Sequence, residues 1–324
     1  MKHRNDRRRF LQSFAGGAAW FAIPQLAFAQ EEKLSKKTYT YKKIDQCEIK
    51  ADVYEASGDK PRPAVIWIHG GALIMGHRGQ MDRSLLNKLL KEGYAVISID
   101  YRLAPETKLP AILEDVEDAC KWVRDKGPEL AHIDPKRLAV MGGSAGGYLT
   151  LTTGFRVNPP PKALVSFWGY GDIAGAWYSR PDPFYSRQPT VPKEEAYQAV
   201  GQSTISESSG KNNRHRFYLY CRQQGLWPKE VAGHDPDKEP QAFDAFCPVR
   251  NVSAKYPLTL LIHGTADTDV PYAESAAMAA RLKECGVSHE LITLERAGHG
   301  LSGATPEEIE QVHARAVAFL RRHL

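Results

Sequence analysis

At 324 residues the chain has room for one large α/β domain with an insertion, or for two smaller domains. Hydrophobic residues make up 42% and charged residues 25%, ordinary values for a globular protein that exclude general disorder. The formal net charge of +5 sits at the start: Lys2, Arg4, Arg7, Arg8 and Arg9 face only Asp6 in the first 29 residues, which leaves +1 for the rest and no electrostatic case for binding nucleic acid.

Residues 1–29 read as a targeting segment. Arg7-Arg8-Arg9-Phe10-Leu11 resembles the twin-arginine export motif, a weakly apolar stretch runs from Ser13 to Leu26, and Ala27-Phe28-Ala29 offers a cleavage site before Gln30. The apolar run is short and broken by Gly16, Gly17 and Pro24, so export with cleavage to the periplasm or medium is expected rather than a membrane span. No span is expected in the mature chain.

Thr38 to Ala56 reads as two strands, with alternation at Ile49, Ala51 and Val53. Ala64-Val-Ile-Trp-Ile68 is a continuous apolar run, the pattern of a strand covered on both faces, and it ends in His69-Gly70-Gly71-Ala72. Helices are expected over Met81–Lys91 and Leu109–Lys126, with a buried strand, Tyr94–Asp100, between them. Leu138-Ala-Val-Met141 then runs into Gly142-Gly143-Ser144-Ala145-Gly146 and a helix from Tyr148, followed by a strand at Ala163–Phe167.

The rhythm breaks from Gly171 to about Tyr256, a stretch rich in Pro, Ser, Arg and aromatics that includes Trp177, Tyr178, Tyr185, Phe217, Tyr218 and Trp227. So long an excursion between sheet elements is usually functional, and a cap over residues 171–256 is expected, most of its aromatics forming its own core. Leu258–Ile262 restores the sheet, followed by a helix at Ala273–Lys283, a strand at His289–Leu294 and a closing helix at Pro306–His323. The succession predicts an α/β fold with a mostly parallel, doubly wound sheet, its core formed by residues 30–170 and 257–324.

In such sheets active groups gather at the carboxyl ends of strands, and three polar residues fall there. Ser144 follows one strand inside a G-x-S-x-G elbow, Asp267 follows the strand ending at Ile262, and His299 follows His289–Leu294. A serine hydroxyl needs an imidazole to take its proton, and the imidazole needs a carboxylate to fix its tautomer. Asp269 rivals Asp267, with the alternative of capping the helix beyond Pro271. Gly70, Gly71 and Ala145 are the expected N–H donors for an oxyanion, and His69 is expected to brace their loop. Cys47, Cys120, Cys221, Cys247 and Cys285 lack C-x-x-C spacing. No metal or cofactor is expected, and free thiols are favoured, with Cys221–Cys247 the pair to test.

His69-Gly-Gly-Ala72, Asp100-Tyr-Arg-Leu-Ala-Pro-Glu106, Gly142-Gly-Ser-Ala-Gly-Gly147 and the Asp267 and His299 loops together resemble α/β-hydrolase esterases of the hormone-sensitive-lipase-like group and the related acetyl-xylan and feruloyl esterases. The resemblance implies an α/β-hydrolase fold and a cofactor-free serine esterase acting on short acyl esters of small molecules or oligosaccharides. Two departures stand out. Ala72 replaces the usual third glycine, and the long segment lies between nucleophile and acid where the family's cap is usually N-terminal. Asp100, Arg102 and Glu106 are read as a brace under the oxyanion loop. The competing readings are a peptidase of prolyl-oligopeptidase type and a non-catalytic binding protein on the same fold.

Overall fold

Alternation along the central strands shows how the sheet is buried. In β3 (Arg62–Ile68), Ala64, Ile66 and Ile68 face one apolar cluster while Val65 and Trp67 face another. The same split recurs in β4 (Ala95–Ile99), β5 (Ile133–Gly143), β6 (Ala163–Phe167) and β7 (Leu258–Gly264). Successive side chains point to opposite faces, so a strand apolar at every position needs cover on both. Helices α1 (Arg83–Lys91) and α10 (Pro306–His323) cover one face. Helices α2 (Leu109–Ala131) and α3 (Ala145–Arg156) cover the other, and α9 (Tyr272–Glu284) joins them through Met278 and Leu282.

These features come from a computed structural model that describes residues 35–55, 58–209 and 213–324; the expected export segment, residues 1–29, lies outside them. The hairpin β1 (Lys36–Ile44) and β2 (Cys47–Tyr54) and a last strand β8 (His289–Leu294) complete eight strands in the order β1-β2-β4-β3-β5-β6-β7-β8. The first three are antiparallel neighbours and all pairs from β4–β3 to β7–β8 are parallel. The chain steps from β3 outward to β4 and then back across to β5, which makes the carboxyl ends of β3 and β5 the switch point where loops diverge and leave a crevice.

The expected strands and helices form, with two extensions. Helix α2 runs past Lys126 through Pro128, because Gly127 and Ala131 are buried and packing on Ile133 outweighs one missing N–H in the last turn. Strand β5 starts at Ile133, where it pairs with Arg62 before reaching Leu138.

Residues 171–256 hold the short helices α4 (Ala176–Ser179), α5 (Lys193–Gln198), α6 (Arg214–Gln224), α7 (Trp227–Ala232) and α8 (Pro248–Asn251). Tyr178, Phe217 and Trp227 are fully buried and continuous with the apolar cluster beneath α2 and α3. Phe184 and Tyr197 are exposed. The five cysteines are free thiols, Cys221 and Cys247 among them. Among the described residues no helix is long and apolar enough to cross a membrane.

The start of α3 lies almost against the end of β3. A Cβ placed on Gly146 would stand 2.0 Å from the Ile68 carbonyl oxygen, and one on Gly142 would stand 2.3 Å from the Gly146 oxygen. Gly146→Ala is therefore expected to destabilise the fold by about 3 kcal/mol or more, read from the midpoint of urea unfolding.

Candidate active site

Ser144 joins β5 to α3 at φ 56° and ψ −121°, a backbone state rarely adopted by a side chain other than glycine. Neighbouring strands hold it there: its N–H donates to the Phe167 carbonyl at 2.9 Å, and its carbonyl accepts from Tyr148 at 3.0 Å to start the helix. The hydroxyl is left at the carboxyl edge of the sheet.

Asp267 and His299 arrive from the two following strands. The Ala266 N–H donates to the Ala297 carbonyl at 3.0 Å, which ties the two loops together. His299 Nδ1 lies 2.8 Å from Asp267 Oδ2, and His299 Nε2 lies 3.1 Å from Ser144 Oγ. The acid has further donors. Oδ1 accepts from the N–H groups of Asp269 at 2.8 Å and Val270 at 2.9 Å, while Oδ2 also accepts from His263 Nε2 at 3.2 Å. His263 Nε2 faces two acceptors, this oxygen and the Val270 carbonyl at 3.0 Å, so it carries the ring proton and leaves Nδ1 to the Ser275 hydroxyl at 2.7 Å. Burial opposes the charge on Asp267, yet the bonds from His263, His299 and Val270 outweigh it and hold its pKa well below the carboxylate range. Burial and the nearby Arg222 oppose a charged His299, but the bond to Asp267 and the charges of Asp269 and Asp267 prevail and raise its pKa. The arrangement can carry a proton from Ser144 to His299 and stabilise the imidazolium that forms.

The loop after β3 lies over the serine. A Cβ on Gly70 would meet Ser144 Cβ at 3.3 Å, so the loop backbone runs beside this serine. Gly71, Ala72 and Leu73 are three successive left-handed residues, at φ 104°, 56° and 62°. Only Gly71 adopts this state freely, so Ala72 and Leu73 store strain. Among the described residues, the N–H groups of Gly70, Gly71 and Ala145 donate to no protein acceptor, while the Gly71 carbonyl accepts from Ile74 and Met75 at 2.9 Å. Of these, Ala145 directly follows Ser144 at the open N-terminus of α3, and Gly70 lies against the serine.

His69 braces this loop. Its Nδ1 lies 2.7 Å from the Gly70 carbonyl and its ring stacks on Tyr101 at 4.3 Å. Burial pushes its pKa down to about 4, so it is neutral at physiological pH. The Tyr101 hydroxyl donates to the His69 carbonyl at 3.0 Å. The expected brace of Asp100, Arg102 and Glu106 holds only in part. Asp100 accepts from the Arg78 N–H at 2.7 Å, and Glu106 pairs at 2.7 Å with Arg214, which donates to the Ile74 carbonyl. Arg102 instead makes a buried pair with Asp115 of α2, because its backbone leaves β4 facing that helix.

The 171–256 segment reaches the site from the other side. Trp227 Nε1 donates to the Ala72 carbonyl at 3.0 Å, and the Gly76 N–H donates to Ser208 Oγ at 2.9 Å. Arg222 has a fully buried side chain stacked against Tyr178 and Tyr185, with its carbon 4.9 and 4.8 Å from their ring centres. Its guanidinium binds Asp182 at 2.5 Å and Asp269 at 2.8 Å. Asp269 therefore does not cap α9, whose N-terminus has no side-chain cap; its carboxylate turns toward Arg222 and the tyrosines of the insert. Trp168, at φ 37°, packs edge-on to His299 at 6.3 Å. Tyr101, Trp168, Arg222 and His263 touch the site without a role assigned to them from the sequence. His263 alone left a local trace, at the end of β7 and four residues before the acid. A polar cleft of about 900 Å³ beside the β1–β2 hairpin, lined by Lys43, His77, Arg78 and Ser206, contains none of Ser144, Asp267 or His299.

Imidazole nitrogen NMR separates these histidines. His299 is expected to titrate above 6.5, the ordinary histidine value, and to move down in Asp267→Asn, while His69 stays neutral at every pH above about 5. A His299 midpoint below 6.5 would contradict the geometry.

The fold is that of the α/β-hydrolases. The chain is 27% identical over 343 residues to the non-reducing polyketide synthase adrD of Penicillium roqueforti, covering 90% of the chain but 14% of that protein. It is 27% identical over 287 residues to Esterase LipC of Mycobacterium tuberculosis, covering 81% of the chain and 61% of that protein. The chain thus spans less than two thirds of either relative. The structure of a truncated carbohydrate esterase from gut microbiota superposes with a TM-score of 0.65 at 21% identity, covering 91% of this chain and 98% of that one, a likeness of fold. The BD-FAE family profile matches residues 51–282, and with the parallel sheet and elbow this makes the chain a member of the BD-FAE family of α/β-hydrolases.

Proposed function

We propose that the protein is a serine hydrolase of carboxylic esters with short acyl groups, on small molecules or acyl-decorated oligosaccharides. The observation that carries this reading is the continuous relay from Ser144 Oγ through His299 to Asp267, with unfilled N–H groups beside the serine. Ser144 Oγ attacks the ester carbonyl carbon as His299 Nε2 takes its proton. The carbonyl oxygen gains the negative charge, which the N–H groups of Gly70, Gly71 and Ala145 stabilise. Collapse of the intermediate breaks the acyl–oxygen bond, and the alcohol leaves with the proton from His299. Water then repeats the sequence on the acyl-serine, releasing the acid. The 171–256 segment caps the acyl and alcohol subsites in this reading. The name of LipC supports an ester substrate, and the neighbouring carbohydrate esterase supports a sugar as the alcohol part. Export through the twin-arginine-type segment would bring the enzyme to extracellular or periplasmic esters.

Three measurements test the reading. Hydrolysis of p-nitrophenyl acetate, butyrate and octanoate should fall at least about a thousandfold in Ser144→Ala, with the chain-length profile sizing the acyl subsite. Equal inertness of both proteins would sink the esterase reading and turn attention to peptide amides. Because only neutral His299 can take the proton, kcat/KM should fall on acidification with a midpoint above 6.5. The double substitution Arg7→Lys, Arg8→Lys should leave the precursor in the cytoplasm, seen by fractionation.

A further inference from the structure

Asp269 stands at the catalytic histidine with one oxygen occupied and the other open. Its Oδ1 accepts from the Tyr185 hydroxyl at 2.9 Å, from the Tyr218 hydroxyl, and from Arg222 Nη1 at 2.8 Å. Arg222 Nη1 also donates to the Asp269 carbonyl at 2.9 Å, so the clamp fixes both backbone and carboxylate. Oδ2 has no such donor among the described residues. Its polar neighbour is His299 Nε2 at 3.5 Å, too far for a good hydrogen bond, and that nitrogen already holds Ser144 Oγ at 3.1 Å. The Asp269 side chain is 17% exposed, against none for Asp267, so of the two carboxylates it is the one open to solvent and to a ligand.

Charge makes this oxygen demanding. Arg222 is the shared partner of Asp182 and Asp269, so the group keeps one net negative charge beside the nucleophile. An ionised oxygen with vacant lone pairs needs a donor from water or from substrate. His299 Nε2 is the atom that hands the proton to the leaving alcohol, so whatever lies within reach of both Nε2 and Oδ2 belongs to the alcohol part of the ester.

We propose that Asp269 selects the alcohol part of the substrate, its open Oδ2 accepting the hydroxyl on the carbon next to the esterified one. Arg222, Tyr185 and Tyr218 are positioning residues that aim it. The inference rests on the ester-hydrolase reading above and extends it to a preference for polyol esters over alkyl esters. A plain alkyl alcohol would press a methylene against the open carboxylate and strip it of water without replacing the lost hydrogen bond.

The experiment compares two acetates of equal length, 2-hydroxyethyl acetate and propyl acetate, which share the acyl group and differ by a hydroxyl in place of a methyl. Each kcat/KM is divided by the rate of the same ester in hydroxide, which removes intrinsic reactivity. The wild-type protein should prefer the hydroxyethyl ester by about tenfold or more. In Asp269→Asn the three fixed donors keep the amide oxygen at the Oδ1 position, so an NH₂ group replaces the open acceptor and the ratio should fall to about one. Near-ultraviolet circular dichroism checks that this isosteric variant is folded, and the wild-type ratio stands without it. A wild-type ratio near one, or an Asn variant that slows both esters equally, overturns the proposal; the second result would mean that Asp269 acts only on the charge of His299. Turnover of p-nitrophenyl acetate with a flat ratio removes this inference alone. Failure of all three esters removes the ester-hydrolase reading and this inference with it.

Discussion

The close approach of β3 to the start of α3 is the constraint on which the rest depends. Gly142 and Gly146 let the Ile68 carbonyl come within a distance that no Cβ would allow, and this contact closes the turn that holds Ser144 at φ 56°. Two residues further, the same proximity lays Gly70 against Ser144. The strained turn at Ser144 and the loop laid against it are therefore two results of one packing event. The backbone strain at Ser144, Ala72 and Leu73 costs on the order of 1–3 kcal/mol each and persists because β3, β5 and β6 over-determine the loops that carry it.

Asp267 shows how much structure is devoted to one carboxylate. Two backbone N–H groups fix one oxygen, and His263 and His299 share the other. A carboxylate with this many donors stays ionised and stays in place, so the tautomer and orientation of His299 are set before any substrate arrives. Asp269, in the same loop, has a different environment. Its partners come from the insert, and the open edge of its carboxylate faces the other side of the imidazole. Two carboxylates two residues apart thus acquire separate surroundings from their neighbours alone.

The 171–256 segment is bonded to the loop over the serine at several points. Trp227 binds the carbonyl of Ala72, Arg214 that of Ile74, and Ser208 the N–H of Gly76. Its aromatic residues pack around the Arg222 guanidinium, whose charge is shared between two carboxylates and several ring faces. Removal of that cation would leave two half-buried acids without their shared counter-charge. The insert and the loops of the sheet therefore hold each other.

The elements of the sheet were legible because their causes are local. Period-two apolar runs, glycines at the elbow and the position of each polar residue after a strand all lie within a few neighbouring positions. That is why Ser144, Asp267 and His299 could be named in order and are found linked by hydrogen bonds. The continuation of α2 through Pro128 was not legible, since packing on Ile133 decides it. Nor were the tyrosines and arginine that hold Asp269, or the acids that hold Arg102 and Arg222, which lie 13 to 84 positions apart along the chain. The chain by itself determined the layered fold and set Ser144, Asp267 and His299 each after a strand, through patterns that need only the neighbouring residues. Tertiary structure decided which carboxylate serves the histidine and which faces outward, because a side chain's hydrogen bonds are chosen by whatever the folded sheet brings beside it.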